Sequence, residues 1–282
     1  MHHIHNRFLL AGVMGWPIVH SRSPKIHNYW LKLHGLEGFY APLAIEPGKL
    51  EVGLRALAPL GFSGCNVTIP HKERAMALVD GVDPAAARIG AINCVVVEAD
   101  GSLTGRNYDG YGFTAALRAA APHWRPDAAP AVVLGAGGGA RAVVAGLIDV
   151  GAREIRLFNR TLARAQALAA DFGPELVVAC PWDERSEGLE GAGLLVNTTS
   201  QGMMGQPPLD ITLRMLPSSA LVADIVYAPL ETPLLAAARR QGLTPIDGLG
   251  MLLHQARPAF RDWFGIMPEV TPTLRALIAA TL

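Results

Sequence analysis

Short apolar runs and helical periodicities take turns along almost the whole chain. FLLAGVMG (8–15) and AVVL (131–134) are continuous apolar segments of strand length, as expected for strands buried on both faces of a parallel sheet. The pattern predicts strands at 8–14, 38–45, 62–67, 91–98 and 102–106, with helices at 24–34, 47–60 and 71–80. A helix over 109–121 precedes a proline-bearing loop, PHWRPDAAP (122–130). Strands then follow at 131–134, 154–159, 175–179, 193–197 and 220–226, with helices after the first two, the second at 161–171. Amphipathic helices at 251–264 and 271–282 come last. This alternation predicts an α/β fold of open, mostly parallel sheets covered by helices. One complete array precedes residue 110 and a fresh one starts at Ala131, which sets a domain boundary between 110 and 128.

Composition narrows the class. Half of the 282 residues are hydrophobic, 17% are charged and the formal net charge is zero. These values suit a substantial core and give no sign of a basic face for nucleic acid or an anionic membrane. No apolar run approaches the ~20 residues of a membrane span. Phe8–Gly15 is followed by Trp16-Pro17 rather than a small-residue cleavage site, and reads as a strand, not a signal peptide. Cys65, Cys94 and Cys180 are odd in number and widely spaced; they read as reduced thiols of a cytosolic protein. His2, His3 and His5 crowd a terminus, a poor place for a working metal site.

The sharpest motif is Gly135-Ala-Gly137-Gly138-Gly139-Ala140, a G-x-G-x-x-A turn between AVVL and an apolar helix. Gly135 permits the tight turn, Gly137 lets backbone approach a pyrophosphate, and the small Ala140 lets helix and strand pack closely. The helix N-terminus offers N–H groups and a positive dipole end to phosphate. A glycine-rich turn that binds nothing is the alternative; the strand before it and the helix after it favour a dinucleotide. The next strand ends Asn159-Arg160-Thr161, with Arg164 one turn on and no carboxylate between Ile155 and Ala170. An NAD site carries an acid there for the ribose 2′-hydroxyl, whereas arginine grips a 2′-phosphate. The predicted cofactor is therefore NADP.

The other constellations each carry two readings. Ser23, with Pro24 behind it, suits a helix N-cap. Ser21 is not needed for capping, and the two hydroxyls beside free helix N–H groups make a carboxylate pocket. Asn66-Val-Thr68-Ile-Pro-His71-Lys72 runs from strand into helix. Lys72, in a first helical turn, is either a surface cation or a proton-exchanging one. His71 reads as structural or surface. Asp109 either caps the helix it opens or faces a cleft. Asn93, at the start of a buried strand, needs partners from protein or substrate. Asn197-Thr198-Thr199-Ser200 and Asp224-Ile-Val-Tyr227 close two strands at the end where such sheets bind ligands. Asp247-Gly248-Leu-Gly250-Met251 is a glycine turn opening a helix; Gly248 lets backbone approach a ring, and Gln255 lies on the following turn.

Together, GWPIVHSRSPKIHN (15–28), NVTIPHKE (66–73), GAIN (90–93), GAGGGAR (135–141), NRT (159–161), NTTSQGM (197–203), DIVYAPLETPLL (224–235) and DGLGMLLHQA (247–256) resemble the shikimate dehydrogenase family in content and order. The resemblance implies a substrate-binding domain over 1–110, to which helices in 248–282 return, and a Rossmann NADP-binding domain over 111–247, with the active site in the cleft. It implies that Ser21 and Ser23 hold a substrate carboxylate with Tyr227 nearby, and that Thr68, Asn93 and Gln255 hold ring hydroxyls. Lys72 and Asp109 become the catalytic pair. Gly135, Gly137, Gly138, Gly139, Ala140, Asn159, Arg160, Thr161, Arg164, Thr198, Gly248 and Met251 become the NADP contacts, with no metal. The implied reaction is reversible, NADPH-dependent reduction of 3-dehydroshikimate to shikimate, in the cytoplasm, on the route to chorismate and the aromatic amino acids. A homodimer is the expected assembly, with no nucleic-acid or membrane partner.

One position departs from the family pattern. The family reads N-T-D-G where this chain has Asn107-Tyr108-Asp109-Gly110. Tyr108 either points away or narrows the pocket and shifts preference among shikimate, quinate and related acids. Two other readings therefore compete: a quinate/shikimate dehydrogenase or paralogue, and a non-catalytic ligand sensor. The presence of both Lys72 and Asp109 argues against the sensor.

Overall fold

The computed structural model describes residues 8–282, so His2, His3 and His5 lie outside it. The chain divides into two compact units: one runs to Tyr108 and takes up Gln255–Ile278, the other comprises Asp109–His254 and Ala279–Leu282.

In the first unit, β1 (Leu9–Gly15), α1 (Ser23–Leu33), β2 (Gly38–Ala44), α2 (Leu50–Arg55), β3 (Phe62–Val67), α3 (Lys72–Met76), β4 (Gly81–Val82), α4 (Pro84–Ile89), β5 (Cys94–Val97) and β6 (Leu103–Arg106) follow in order. The six strands form one sheet in the order β2-β1-β3-β5-β6-β4. Pairing is parallel except at β5, which runs antiparallel to β3 and β6. The cause is local. Glu98 N–H donates to Ser102 O at 2.9 Å, and so short a turn returns the chain antiparallel. The predicted helix at 71–80 stops at Met76, and β4 and α4 follow it unforeseen. A signal for α4 was readable: Asp83 accepts the Ala86 N–H at 2.6 Å, Pro84 opens the helix and Gly90 ends it at φ 77°. The predicted helix at 47–60 is a 3₁₀ turn followed by α2.

In the second unit, α5 (Asp109–Ala120), β7 (Ala131–Leu134), α6 (Gly138–Asp149), β8 (Ile155–Phe158), α7 (Leu162–Phe172), β9 (Val177–Cys180), β10 (Leu194–Asn197), β11 (Leu221–Asp224), α8 (Pro233–Arg240) and β12 (Thr244–Ile246) build an all-parallel sheet. Its order is β12-β11-β10-β7-β8-β9, the doubly wound dinucleotide-binding order, reversing between β7 and β10. Sequence periodicity missed α8 and β12, although Thr232 caps α8 by accepting the Leu235 N–H at 3.3 Å. α5 lies close on α6 because two glycines face each other. A Cβ on Gly110 would sit 2.6 Å from Ala142 O, and one on Gly146 2.6 Å from Gly110 O.

The unit boundary falls inside α9 (Gly248–Phe264). That helix begins three residues before the predicted 251 because Asp247 Oδ1 accepts the Leu249 N–H at 3.1 Å and caps it. The last helix, α10 (Pro272–Ala279), is shorter than the predicted 271–282. In the first unit the latter part of α9 brings Phe260 and Trp263 against α1 and β2. Trp263 Nε1 donates to Val95 O at 3.0 Å. Gly64, at φ 151°, leaves the room: a Cβ there would run into Val95 O and the Trp263 ring. Cys65 and Cys94 are buried and Cys180 partly so, all three free thiols. Among the described residues no helix is long and apolar enough to cross a membrane.

Candidate active site

The first unit carries one group of the sequence-predicted residues. α1 starts at Ser23 with Arg22, not Ser23, in the N-cap position. Ser21 Oγ accepts the Ser23 N–H at 3.3 Å, so the serine read as dispensable for the helix start is the one that serves it. Ser21 satisfies the helix start through a local hydroxyl turn, and Ser23 is buried at the helix head. After β3, Thr68 N–H donates to Met14 O at 2.9 Å and Thr68 O accepts the His71 N–H at 2.8 Å. That turn makes Lys72 the first residue of α3, half-buried, its carbonyl receiving the Ile92 N–H at 3.0 Å. His71 is buried with Nε2 2.7 Å from Ile45 O, a structural histidine.

Asn93 finds protein partners. Its Oδ1 accepts the Tyr108 N–H at 2.9 Å and its Nδ2 donates to Gln255 Oε1 at 3.3 Å. The structure thus brings the predicted hydroxyl-binding residues Asn93 and Gln255 together, although 162 positions separate them. Asn66 is a brace: Oδ1 accepts the Tyr40 hydroxyl at 2.6 Å, and Nδ2 donates to Asn93 O at 2.9 Å. The Tyr108 phenol donates to Asp262 and receives Arg106 Nη1 at 3.4 Å. The Asp262 contact had no sequence signal, because Asp262 comes from α9, 154 positions away.

The second unit carries the other group. Gly135 follows β7 at φ 108°, and a Cβ there would lie 2.6 Å from Thr198 Oγ1. Thr198, just past β10, donates from Oγ1 to Leu134 O at 2.6 Å, closing the sheet at its reversal point. Gly137 caps α6, and a Cβ on Gly137 or Gly138 would meet nothing within 4 Å. Packing therefore does not demand glycine at either place, and the open space lies beside helix N–H groups that lack intrahelical acceptors. Gly139 is different, since a Cβ would lie 2.8 Å from Ile225 Cδ1; Ala140 is fully buried. At the end of β8, Asn159 is partly exposed and Nδ2 donates to Thr161 O at 2.8 Å. Arg160, Thr161 and Arg164 are exposed, and neither arginine has an ion-pair partner among the described residues. These features fit a dinucleotide with a 2′-phosphate.

Some expectations are revised. Asn197 and Asp224 do not line a cleft. Both are buried: Asn197 Nδ2 donates to Asp224 Oδ1 at 3.0 Å, and Asp224 also takes Thr232 Oγ1 at 2.8 Å and the Val226 N–H at 3.0 Å. Burial pushes the Asp224 carboxyl up against the pull of these donors. At Gly248 packing of the protein itself already requires glycine, since a Cβ there would collide with Ile225 O. Tyr227 and Met251 are partly exposed, and Asp109 opens α5 over the Gly110–Gly146 contact. No group of three or more His, Cys, Asp or Glu among the described residues is placed to hold a metal ion.

Comparison with known proteins identifies the family. Family models described as "Shikimate dehydrogenase substrate binding domain", "Shikimate / quinate 5-dehydrogenase" and "Shikimate 5'-dehydrogenase C-terminal domain" match residues 13–95, 120–206 and 248–278. A relative from Rhodospirillum rubrum named "Shikimate dehydrogenase (NADP(+))" is 56% identical over 272 residues, covering 95% of this chain and 96% of the relative. The chain belongs to the shikimate dehydrogenase family. Among solved structures, shikimate 5-dehydrogenase of Thermus thermophilus in complex with NADP(H) and shikimate has a TM-score of 0.86 at 38% identity, covering 98% of this chain and 100% of that one. Quinate dehydrogenase of Corynebacterium glutamicum in complex with NAD has a TM-score of 0.87 at 31% identity, covering 97% and 98%.

Proposed function

We propose that this protein is an NADP-dependent shikimate dehydrogenase. It catalyses the reversible conversion of 3-dehydroshikimate, NADPH and a proton to shikimate and NADP⁺, a step towards chorismate and the aromatic amino acids. The carrying observation is the 56% identity, over 95% of the chain, to a relative of that name. The reading places the enzyme in the cytoplasm, where thiols such as Cys65, Cys94 and Cys180 stay reduced.

Bound NADPH supplies the hydride, and the protein supplies placement and proton control. Ser21 and Ser23 hold the substrate carboxylate, with Tyr227 nearby, and Thr68, Asn93 and Gln255 hold the ring hydroxyls. As the ketone carbon is reduced, its oxygen gains negative charge. The Lys72 ammonium stabilises that charge and gives up a proton to it, with Asp109 as the second member of the proposed catalytic pair. The open turn at Gly137 and Gly138 receives the pyrophosphate, while Arg160 and Arg164, with Asn159 and Thr161, take the 2′-phosphate.

Purified protein given shikimate and NADP⁺ is expected to generate the absorbance of reduced nicotinamide. Tight binding of both ligands without that signal would contradict the reading and revive a ligand sensor. The cofactor assignment has its own test. Arg160→Ala combined with Arg164→Ala is expected to raise the KM for NADP⁺ about 10- to 100-fold, the value of charge-assisted bonds to phosphate, and to leave the KM for NAD⁺ unchanged. An equal rise for both cofactors would remove the arginines from the 2′-phosphate.

A further inference from the structure

Asn93 has its amide fixed from two sides. It is 3% exposed; its backbone N–H donates to Arg106 O at 2.9 Å, its Oδ1 takes the Tyr108 N–H at 2.9 Å, and its Nδ2 reaches Gln255 Oε1 at 3.3 Å. The side-chain orientation of Asn93 thus depends on where the backbone of Tyr108 lies. That backbone belongs to no element: β6 ends at Arg106 and α5 starts at Asp109. Two side chains tie the link down. Asn107 Nδ2 donates to Ala91 O at 2.8 Å. The Tyr108 phenol donates to Asp262, whose side chain is 6% exposed and pairs with Arg106 Nη1 at 2.7 Å.

The helical register completes the arrangement. Gln255 and Asp262 are seven residues apart on α9, two turns along one face. One helix therefore presents a partner to the Asn93 amide and an anchor to the residue whose N–H orients it. A threonine, the family's usual residue at this position, has no phenol to reach Asp262. Burial and the Asp262 carboxylate push the Tyr108 phenol up, so it stays a donor through the neutral range.

We propose that Tyr108, with Asp262 and Arg106, is a positioning clamp that sets the Asn93–Gln255 amide pair for the substrate's ring hydroxyls. The inference rests on the hydroxyl-binding role of Asn93 given above. Tyr108 and Asp262 need not touch the substrate; they act through Asn93.

The test is a double-mutant cycle on steady-state kinetics with shikimate and NADP⁺. Tyr108→Phe keeps the ring and removes only the anchor. It is expected to raise the KM for shikimate about fivefold, the scale of one hydrogen bond, with the KM for NADP⁺ unchanged and kcat within about twofold. Asn93→Ala is expected to raise the shikimate KM further. Adding Tyr108→Phe to Asn93→Ala should then have no additional effect, because the group being positioned is gone. Asp262→Ala should reproduce Tyr108→Phe and be non-additive with it. A shikimate KM raised by Asn93→Ala but untouched by Tyr108→Phe overturns the clamp alone, as does full additivity of the two. An unchanged KM in Asn93→Ala removes the hydroxyl-binding role itself, and the clamp with it.

Discussion

Lys72→Ala is expected to lower kcat for shikimate oxidation by about 10²–10⁴-fold, the range of a positioned general acid–base group, while NADP⁺ affinity stays within about twofold. The reason is the division of labour along the chain. Lys72 opens α3 in the first unit, whereas the glycine turn, Arg160 and Arg164 all lie in the second. The alanine variant loses the ammonium that stabilises and protonates the developing alkoxide, and loses nothing that holds the dinucleotide. The fold should tolerate the change, because what binds Lys72 to the Ile92 N–H is its carbonyl. Stopped-flow turnover and fluorescence titration of NADPH measure the two quantities separately. A near-normal kcat would remove Lys72 from the chemical step; a joint loss of turnover and cofactor binding would point to misfolding.

Acid is expected to destabilise the protein through His27. The ring is fully buried, stacked on Tyr40 at 4.2 Å and surrounded by Trp30, Phe260 and Trp263. Burial pushes its pKa down to about 3 from an ordinary 6.5. The neutral ring is thus the form the fold accepts, and the unfolded chain binds the extra proton between these two values. Stability from this residue is complete above pH 6.5 and is lost as pH falls towards 3. The loss is about 1.4 kcal/mol per pH unit, hence about 3 kcal/mol at pH 4.5, a large part of a typical folding free energy. His27→Phe keeps an aromatic ring and removes the proton site. Urea unfolding of both proteins between pH 7 and 4.5 should show the gap between their stabilities shifting steadily in favour of the variant. Curves that stay parallel would exclude His27 as the proton acceptor.

What the sequence revealed follows from the range of the forces involved. The β7–α6–β8 unit was legible because its glycine turn, apolar strand and helix are contiguous, and the missing carboxylate after β8 is a local fact. Lys72 at a helix start was legible for the same reason. Ser23 looked like a helix cap, but Arg22 holds that position and Ser21 Oγ takes the Ser23 N–H, because a serine two residues upstream can also satisfy a helix start. The antiparallel turn of β5 was hidden by the expectation of helix-linked strands. Asn197 and Asp224 looked like cleft residues by position, yet Thr232 and each other consume their polar atoms. Contacts such as Asn93 with Gln255, Gly110 with Gly146 and Tyr108 with Asp262 join distant stretches, and no local periodicity encodes them.

The decisive measurement is kcat/KM for shikimate and quinate, each with NADP⁺ and with NAD⁺. Quinate adds a hydroxyl at the carboxylate-bearing carbon, near the proposed Ser21/Ser23 pocket, and NAD⁺ lacks the phosphate that Arg160 and Arg164 are proposed to hold. Shikimate with NADP⁺ is expected to exceed each other combination by at least about tenfold, the value of one charge-assisted or sterically matched contact. Equal turnover of quinate, or equal use of NAD⁺, would contradict the assignment and make the protein a broader quinate/shikimate dehydrogenase.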